Sequence, residues 1–401
     1  MKILAIETSC DETAIALLEA DRGLDSIGVL GNTVASQADL HAQFGGVYPA
    51  LAKREHAKNI VPVLLDTLKQ AGFDINVEQN NLNSFSLEQK NYLKKLFEHE
   101  PELYQIFIEH IPTITKNSKS SIDSIAVTTG PGLEPALWVG INFAKALNYV
   151  WGVPIIPVNH MEGHILSPLL NLNSSSNKKA QLPALALLIS GGHTELVYVP
   201  EFGTYEKIGQ TLDDAVGEAF DKVARLLGLP YPGGPHIAKL AGIDRSINPR
   251  ASIDLPKPMI NSGDLNFSFS GLKTAVLYMV QKLEEEAPNN TLPDTTKQNI
   301  ARAFEDSVTE VLIKKVLKAL DEIGGQNPIK TILVGGGVSA NTFIKQGLIN
   351  AVQKYDPNIS VLFPTPDLST DNAIMIGMVG ILKSPLSPTG GEISANANWE
   401  L

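Results

Sequence analysis

Two stretches of the chain, one in each half, share the same order of apolar runs and turns. In the first half, an apolar run at residues 2–8 is followed by a polar turn at residues 9–13 and a returning strand. In the second half, the apolar run 184–189 is followed by the turn 190–194 and another returning strand. An uninterrupted apolar run of this length is typical of a strand covered on both faces. The repeated hairpin therefore predicts two lobes of the same design.

Each predicted lobe also contains a strand that leads into a glycine-rich turn and then a helix. The turns are Gly130-Pro131-Gly132 in the first half and Gly335-Gly336-Gly337 in the second. Glycine lets backbone amides approach a phosphate, and the N-terminus of the following helix favours negative charge. One such turn is explained by tight-turn geometry alone. Its occurrence in matched places predicts a nucleotide or acyl-phosphate ligand in a cleft between the lobes.

The length of 401 residues suits two domains of ordinary size. Residues 171–181 are rich in Asn and Ser and are the best candidate for a linker. We expect an N-terminal lobe at residues 1–175, a C-terminal lobe at residues 176–382 and a peripheral tail at residues 383–401. Residues 76–119 combine polar loops with a helical apolar pattern, which predicts an inserted helical pair in the first lobe.

The composition limits the partners and the compartment. A formal net charge of −11 disfavours a broad basic face for nucleic acid. Any RNA contact is therefore expected to be local or helped by a partner, and Lys53, Arg54 and Lys58 form a modest basic cluster on one predicted helix. The lone Cys10 excludes an intramolecular disulfide and is predicted to be a small buried residue, not a reactive thiol. The apolar runs are too short for a signal peptide or a membrane span, so we expect a cytoplasmic protein.

Two histidines, His160 and His164, follow directly after an apolar strand and are four residues apart. On a helix this spacing puts both imidazoles on one face with their Cβ atoms about 5–6 Å apart, close enough to hold one metal ion. Glu162 lies between them, so the order is not the His-Glu-x-x-His of zinc peptidases. Two surface or capping histidines are the alternative that these residues alone leave open.

Ten short motifs occur along the chain in an order that closely resembles the bacterial tRNA threonylcarbamoyladenosine transferase family, formerly called O-sialoglycoprotein endopeptidases. The resemblance covers nearly the whole chain apart from the insertion, the linker and the tail. The motifs lie at residues 9–13, 130–132, 159–164, 190–194, 213–215, 217–222, 231–235, 267–274, 335–341 and 371–373.

The resemblance implies an α/β fold of two duplicated lobes around a central cleft, of the actin-like, sugar-kinase and heat-shock-ATPase type (RNase H-like). It implies transfer of a threonylcarbamoyl group from threonylcarbamoyl-AMP to N6 of adenosine 37, 3′ of the anticodon, in tRNAs that read codons beginning with A. It also implies a divalent metal, with Fe2+ favoured and Zn2+ or Mg2+ compatible.

The resemblance assigns roles to individual positions. By position, the metal ligands are His160, His164 and Asp371. The residues implied to bind the adenylate are Leu188, Ile189, Ser190, Gly191, Gly192, Asp221, Gly234 and Asn341. From the residues alone, Asp221 also suits an ion pair with Arg225 on one helix, which is compatible with ligand binding; Asn341 is equally a helix N-cap, and Asp371 also suits an N-cap. Because the adenine amine is a poor nucleophile, Asp11 and Glu12 are the candidates for orienting or deprotonating it.

The partners implied by the family are tRNA, a paralogous noncatalytic subunit and an auxiliary ATPase; a homodimer is compatible with the sequence, and no membrane is expected. Three other functions are alternatives. A small-molecule kinase or ATPase of the same fold would need an acidic magnesium site without histidine ligands. A peptidase would need a general base beside the metal. A noncatalytic supporting lobe is disfavoured because both glycine loops and both histidines are intact.

Overall fold

The structure is a computed structural model, and it describes residues 1–21, 24, 26–73, 85–118, 122–170, 179–287, 289, 291–323, 325, 328–384 and 393–401. Most of the predicted linker, part of the insertion and residues 385–392 of the predicted tail lie outside the described residues. The chain divides into two compact units, Met1–Asn177 with Asp371–Leu401, and Lys178–Thr370. The first unit thus includes residues 371–382, which the sequence analysis placed in the second lobe.

The first unit is built on a five-stranded sheet with the order β3-β2-β1-β4-β5. Its strands are β1 (Lys2–Glu7), β2 (Glu12–Ala20), β3 (Ile27–Ser36), β4 (Ser124–Gly130) and β5 (Ile155–Asn159). The first three strands pair antiparallel, whereas β4 pairs parallel with β1 and with β5. Every residue of β4 is buried, as expected of a central strand with both faces covered.

The second unit repeats this sheet. Its strands are β6 (Ala184–Ile189), β7 (Thr194–Glu201), β8 (Thr204–Gln210), β9 (Thr331–Gly335) and β10 (Ser360–Leu362). Read from the other edge, the order β8-β7-β6-β9-β10 matches the first sheet strand by strand, with antiparallel pairs first and parallel pairs after. The predicted duplication of lobes is confirmed in strand order and direction.

Helices cover both sheets. In the first unit these are α1 (Ala38–Ala42), α2 (Pro49–Gln70), α3 (Leu87–Leu96), α4 (Pro101–Ser118), α5 (Glu134–Trp151) and α6 (His160–Leu166). The second unit contains α7 (Val216–Leu226), α8 (Gly233–Ile247), α9 (Ser270–Glu286), α10 (Asp294–Ile323), α11 (Thr342–Tyr355) and α12 (Pro366–Ser369), and the chain returns to the first unit in α13 (Ala373–Lys383). Short 3-10 turns lie at Ser167–Leu169 and Gly337–Ala340. Within the described ranges, none of the helices combines the length and the hydrophobicity needed to cross a bilayer.

The inserted helices α3 and α4 extend the core of the first unit. Leu93, Phe97 and Phe107 are buried in the same cluster as residues of β1, α2 and α5. The ring of Phe107 contacts that of Phe143 on α5 edge to face, with ring centroids 5.9 Å apart. The apolar stripe of the insertion therefore packs on its own lobe.

Helix α13 packs closely on the first sheet because it carries glycine where it meets the strands. A methyl group added at Gly380 would lie 2.7 Å from Cβ of Ala126 in β4, closer than real carbon atoms approach. Neither backbone can move away easily, since Ala126 is fully buried. The helix can therefore sit against β1 and β4 only with glycine here.

We predict that Gly380→Ala lowers the free energy of unfolding of the first unit by about 1–3 kcal/mol, because an extra methyl group overpacks the core. The measurement is denaturant unfolding followed by circular dichroism. The matched control is Gly242→Ala on α8, where an added methyl group meets no atom within 4 Å. That variant should gain up to about 1 kcal/mol from lower backbone entropy of the unfolded chain. Equal effects of the two variants would contradict the close packing.

Candidate metal and nucleotide sites

The two histidines are placed by the junction between β5 and α6. Asn159 ends the strand in extended conformation, and its side-chain oxygen accepts a hydrogen bond from the backbone N–H of Met161 at 2.9 Å. This N-cap makes His160 the first helical residue and brings His164 one turn further along the same face. The predicted helical pair of imidazoles is present, and both side chains are buried.

Asp371 reaches the histidines from the start of α13. The N-cap of α13 is Asn372, which accepts from the N–H of Met375 at 3.0 Å, so the alternative of Asp371 as N-cap is wrong. Helices α6 and α13 pack closely because Gly163 lies between them: an added Cβ there would be 3.0 Å from the Met375 side chain. The carboxylate of Asp371 is thereby left to face the imidazoles.

His160, His164 and Asp371 form one compact group of possible ligands. Oδ1 of Asp371 lies 3.4 Å from Nε2 of His160 and 3.2 Å from Nε2 of His164. The candidate ligand atoms all lie within 4.8 Å of one another. Among the described residues, neither ring nitrogen of the buried His164 has a hydrogen-bond partner of good geometry. Leaving a buried polar group unpaired costs free energy, unless a ligand such as a metal ion binds the ring. Two imidazoles and one carboxylate fit a divalent transition metal.

Glu7, the last residue of β1, contacts Nδ1 of the His160 ring, whereas Asp371 lies at its Nε2. The fully buried carboxylate of Glu7 lies 3.0 Å from Nδ1 of His160 and accepts from the hydroxyl of Thr128 at 2.6 Å. Burial raises the pKa of Glu7, but the charge of His160 and the hydrogen bond to it outweigh this and lower the pKa. An ionised Glu7 keeps the proton of His160 on Nδ1 and leaves Nε2 for a metal.

The charged side chains of this group shift one another's pKa values. Burial lowers the pKa of His160, but the carboxylates of Asp371 and Glu7 together raise it well above its ordinary value. Burial likewise raises the pKa of Asp371, whereas His160 and His164 lower it by more. Without a metal, a protonated His160 therefore balances part of the negative charge. Sequence reasoning missed Glu7, although an acid that directly ends a buried apolar strand was a visible signal.

Asp11 and Glu12 lie at the turn between β1 and β2, where the charge of Asp371 acts on Glu12. Asp11 is 8% exposed and is therefore not a solvated carboxylate at the tip of a hairpin. Burial, followed by the negative charges of Asp371 and Asp11, raises the pKa of Glu12 to about 10. Burial also raises the pKa of the neighbouring Cys10 thiol well above its ordinary value, as expected of an unreactive cysteine.

His56 on α2 holds this acidic turn in place. Its Nε2 donates to the backbone oxygen of Cys10 at 3.0 Å, and the hydroxyl of Thr13 lies 2.7 Å from its Nδ1. Burial lowers the pKa of His56, so the ring is neutral and one nitrogen donates while the other accepts. In the sequence, His56 was one of several basic residues on a predicted helix, and no pattern distinguished it.

The last residues of the chain contact the candidate metal site, although the sequence analysis predicted a peripheral tail. The N–H of Asn396 donates to the oxygen of Thr129 at 2.8 Å, and the oxygen of Ala397 accepts from Gly132 at 3.2 Å. The side chain of Asn159 donates to the oxygen of Trp399 at 3.2 Å. The segment 393–401 therefore braces both the glycine turn after β4 and the residue that caps α6.

In the second unit, three loops meet at the carboxyl ends of β6 and β9. The N–H of Gly217 donates to the oxygen of Ser190 at 3.1 Å. Gly336 has φ of 90°, and a Cβ there would lie 2.5 Å from the oxygen of Ile189. A methyl group at Gly191 or Gly192 would meet no atom within 4 Å. The turn after β6 is thus packed on one side and open on the other, as backbone amides that receive a phosphate require.

The remaining predicted adenylate residues lie at helix starts near these loops. Asp221 on α7 accepts from the N–H of Gly233 at 2.6 Å, which ties α7 to the first turn of α8, where Gly234 lies. Asn341 caps α11 by accepting from Phe343 and Ile344, each at 3.0 Å. Its amide nitrogen also donates to the buried Glu305 at 2.6 Å. The N-cap reading of Asn341 is thus correct, and one amide hydrogen remains for a ligand.

The predicted basic cluster on α2 carries little net charge. Lys53 forms an ion pair with the buried Glu100 at 2.7 Å. Lys58 and Arg54 lie 2.9 Å and 3.9 Å from Glu55. These carboxylates offset the positive charge, so the cluster is a poor phosphate site.

Comparisons with known proteins identify the family of the chain. A family model described as tRNA N6-adenosine threonylcarbamoyltransferase (TsaD) matches residues 28–79 and 100–378. A protein of that name from Chromobacterium violaceum is 39% identical over 401 residues, covering 100% of this chain and 98% of the relative. One from Neisseria gonorrhoeae is 40% identical over 411 residues, covering 100% of this chain and 99% of the relative.

Among solved structures, full-length HypF in a phosphate- and nucleotide-bound form matches with a TM-score of 0.51 and 11% identity, covering 98% of this chain and 47% of that chain. At this identity the likeness concerns the fold alone. Together with the two matching sheets, it confirms the predicted actin-like, sugar-kinase-like fold of duplicated lobes.

We predict that His164→Ala lowers the affinity of the full chain for Fe2+ or Zn2+ by more than about 100-fold. Mutation of a residue that only hydrogen-bonds a metal ligand already lowers metal affinity by about 10–100-fold, and loss of the ligand itself should cost more. Isothermal titration of the metal-free protein under anaerobic conditions measures this. His99→Ala, at an exposed position of the insertion, is the control and should bind metal as the unaltered chain does. Unchanged affinity of His164→Ala would refute the metal group.

We also predict that deleting residues 393–401 lowers the free energy of unfolding of the first unit by about 2–4 kcal/mol, at about 1 kcal/mol for each hydrogen bond lost. The metal affinity should fall as well, because Asn159 loses an acceptor. Unfolding curves and metal titrations of the truncated chain test this against Ser394→Ala, which lies at an exposed position. A truncated chain with unaltered metal affinity would mean that the segment does not brace α6.

Proposed function

Because the chain belongs to the tRNA N6-adenosine threonylcarbamoyltransferase family, we propose that it transfers the threonylcarbamoyl group from threonylcarbamoyl-AMP to N6 of adenosine 37 in tRNAs reading codons that begin with A. Adenosine 37 is the base just 3′ of the anticodon. The observation that carries this proposal is the group of His160, His164 and Asp371 beside two further buried carboxyls. Such a group of titratable residues marks a reaction site.

The metal held by His160, His164 and Asp371 is proposed to be Fe2+. Two imidazoles and a carboxylate are the ligands of many Fe2+ enzymes, and Zn2+ also accepts them, whereas Mg2+ prefers oxygen ligands. When bound, such an ion supplies Lewis-acid chemistry by polarising an oxygen of the threonylcarbamoyl group. Glu7 contributes by holding His160 in the tautomer with a free Nε2.

The adenylate is proposed to bind at the loops of the second unit. Gly191 and Gly192 are exposed, and a Cβ added at either would meet no atom within 4 Å, so their backbone amides would receive the phosphate. Asp221 would accept from the ribose hydroxyls while keeping its bond to Gly233, since a carboxylate has about four acceptor positions. Asn341 would donate its remaining amide hydrogen to the nucleoside.

In the reaction, the N6 amine attacks the carbonyl carbon of the threonylcarbamoyl group. A carbon–nitrogen bond forms, the bond from that carbon to the phosphate oxygen breaks, and AMP leaves with the electron pair. The amine must lose a proton, which requires a base. Because the pKa of Glu12 is raised to about 10, we assign Glu12 as the protonated member that orients the amine and Asp11 as the base.

The tRNA is proposed to be presented with the help of a paralogous noncatalytic subunit and an auxiliary ATPase. The charge of the chain supports this, since a net charge of −11 attracts no phosphate backbone. The need for partner proteins is also supported by the ion pairs of Lys53, Arg54 and Lys58, which offset their positive charge.

Two other activities fit the site less well. A kinase or ATPase of this fold would place acidic magnesium ligands where His160 and His164 lie. A metallopeptidase would need a free carboxylate as base, but Glu162 forms an ion pair with Lys383 at 2.5 Å.

The test is to incubate the purified chain with threonylcarbamoyl-AMP and unmodified tRNA, with and without the partner proteins, and to quantify threonylcarbamoyladenosine by mass spectrometry. Asp11→Asn should lower kcat by about 100- to 10,000-fold, as loss of a general base does. Glu12→Gln should keep most of the activity, because Gln mimics a protonated carboxyl. His160→Ala should give no product.

The control is His99→Ala, which should modify tRNA at the unaltered rate. If His160→Ala were as active as the unaltered chain, the metal role would be wrong. A larger loss in Glu12→Gln than in Asp11→Asn would reverse the assignment of the two carboxyls.

A further inference from the structure

Two aromatic rings stand exposed on the loop between α1 and α2. Phe44 is 62% exposed and Tyr48 is 58% exposed. The rings are stacked, with centroids 6.3 Å apart and planes 27° from parallel. Single exposed apolar residues need no explanation, but two large rings that stack in one short loop present a flat apolar surface to solvent.

The loop that carries these rings is built around a buried histidine. His41 is fully buried, and its backbone oxygen accepts from the N–H of Phe44 at 2.9 Å. Its Nδ1 accepts from the N–H of Tyr48 at 3.3 Å, so the ring proton is on Nε2, which donates to Gln37 at 3.1 Å. One buried side chain therefore fixes the backbone at both aromatic residues, and the pair is arranged before any ligand binds.

The same network continues to the acidic turn. The backbone N–H of Gln37 donates to the oxygen of Asp11 at 3.0 Å. The side-chain amide of Gln37 lies 3.4 Å from Nδ1 of His56, whose Nε2 donates to Cys10. The aromatic pair and the backbone of the turn that carries Asp11 are thus held by one set of hydrogen bonds within the first unit.

The charges near Phe44 and Tyr48 indicate which kind of ligand the two rings would bind. The nearby cations of α2 are paired with carboxylates, and the chain is strongly acidic, so a phosphate backbone gains little here. An unpaired nucleobase, in contrast, offers a flat uncharged face, and stacking on an aromatic ring requires no positive charge. Proteins recognise single-stranded RNA loops largely by stacking splayed bases on such rings.

We propose that Phe44 and Tyr48 form a stacking platform for an unpaired base of a single-stranded RNA loop, beside the base whose amine meets Asp11 and Glu12. The inference rests on the proposed function, which makes RNA the acceptor. It assigns the recognition of the loop to aromatic faces of the first unit and not to basic residues.

The experiment measures equilibrium binding of a fluorescent anticodon stem-loop RNA to the full chain, alone and with its partner subunit, in the absence of threonylcarbamoyl-AMP. The double variant Phe44→Ala with Tyr48→Ala should bind about 5- to 100-fold more weakly, the loss expected for one stacked base. The matched control replaces Tyr92 and Tyr149 by Ala. Those rings also stack at the surface, with centroids 4.1 Å apart and 43% and 38% exposure, and their loss should leave RNA binding unchanged.

Two single variants separate stacking from general apolar contact and from misfolding. Phe44→Trp keeps an aromatic face and should bind RNA as tightly as the unaltered chain. Phe44→Leu keeps apolar volume without such a face and should bind several-fold more weakly. Equal RNA affinity of the two variants would overturn the proposal, as would unaltered affinity of the double Ala variant.

The outcome separates this inference from the proposed function, because binding is measured without the chemical step. If His160→Ala binds RNA normally but the aromatic variants do not, the platform stands whatever the reaction proves to be. If the double Ala variant no longer binds the partner subunit but binds RNA normally, the rings form a protein contact and the proposal is wrong. Failure of the unaltered chain to bind the stem-loop in either arrangement would also overturn it.

Discussion

The close approach of α6 and α13 is the constraint on which the candidate metal site depends. Glycine at position 163 lets the two helices touch, and glycine at position 380 lets α13 lie against the sheet. Only at this separation does the carboxylate of Asp371 reach both imidazoles of α6. Residues more than 200 positions apart in the sequence are thereby brought into one coordination group.

Charge balance in a buried environment explains the residues around that group. The carboxylates of Glu7 and Asp371 lie against the two histidines of α6. Burial raises the pKa of each of these acids, but His160 lowers it by more, so both stay ionised. Burial and the charges of Asp371 and Asp11 instead raise the pKa of Glu12 to about 10, so it keeps its proton. Glu7 and Glu12 thus differ in protonation, as acids with different roles in one site do.

The duplicated fold carries different residues at equivalent places in the two units. In both sheets the loops after the first and fourth strands, β1 and β4 or β6 and β9, project from the same edge. In the first unit the loop after β1 carries Asp11, whereas the loop after β4 carries Gly130 and Gly132. In the second unit both loops carry glycines, and Gly191 and Gly192 are exposed. At the loop after the first strand of each sheet, the same strand order thus presents Asp11 in one unit and Gly191 and Gly192 in the other.

Much of this was visible in the sequence, for physical reasons that operate locally. Apolar runs followed by turns predicted both sheets, and the four-residue spacing predicted that His160 and His164 share a helix face, because strand and helix periodicity depend on neighbours in the chain. The motif order pointed to the family. Tertiary packing alone decided that Glu7 supports His160, that His56 and Gln37 hold the acidic turn, and that residues 393–401 brace α6. Those contacts join segments far apart in the chain, and their side chains have no periodic pattern of their own, so only the folded chain reveals them.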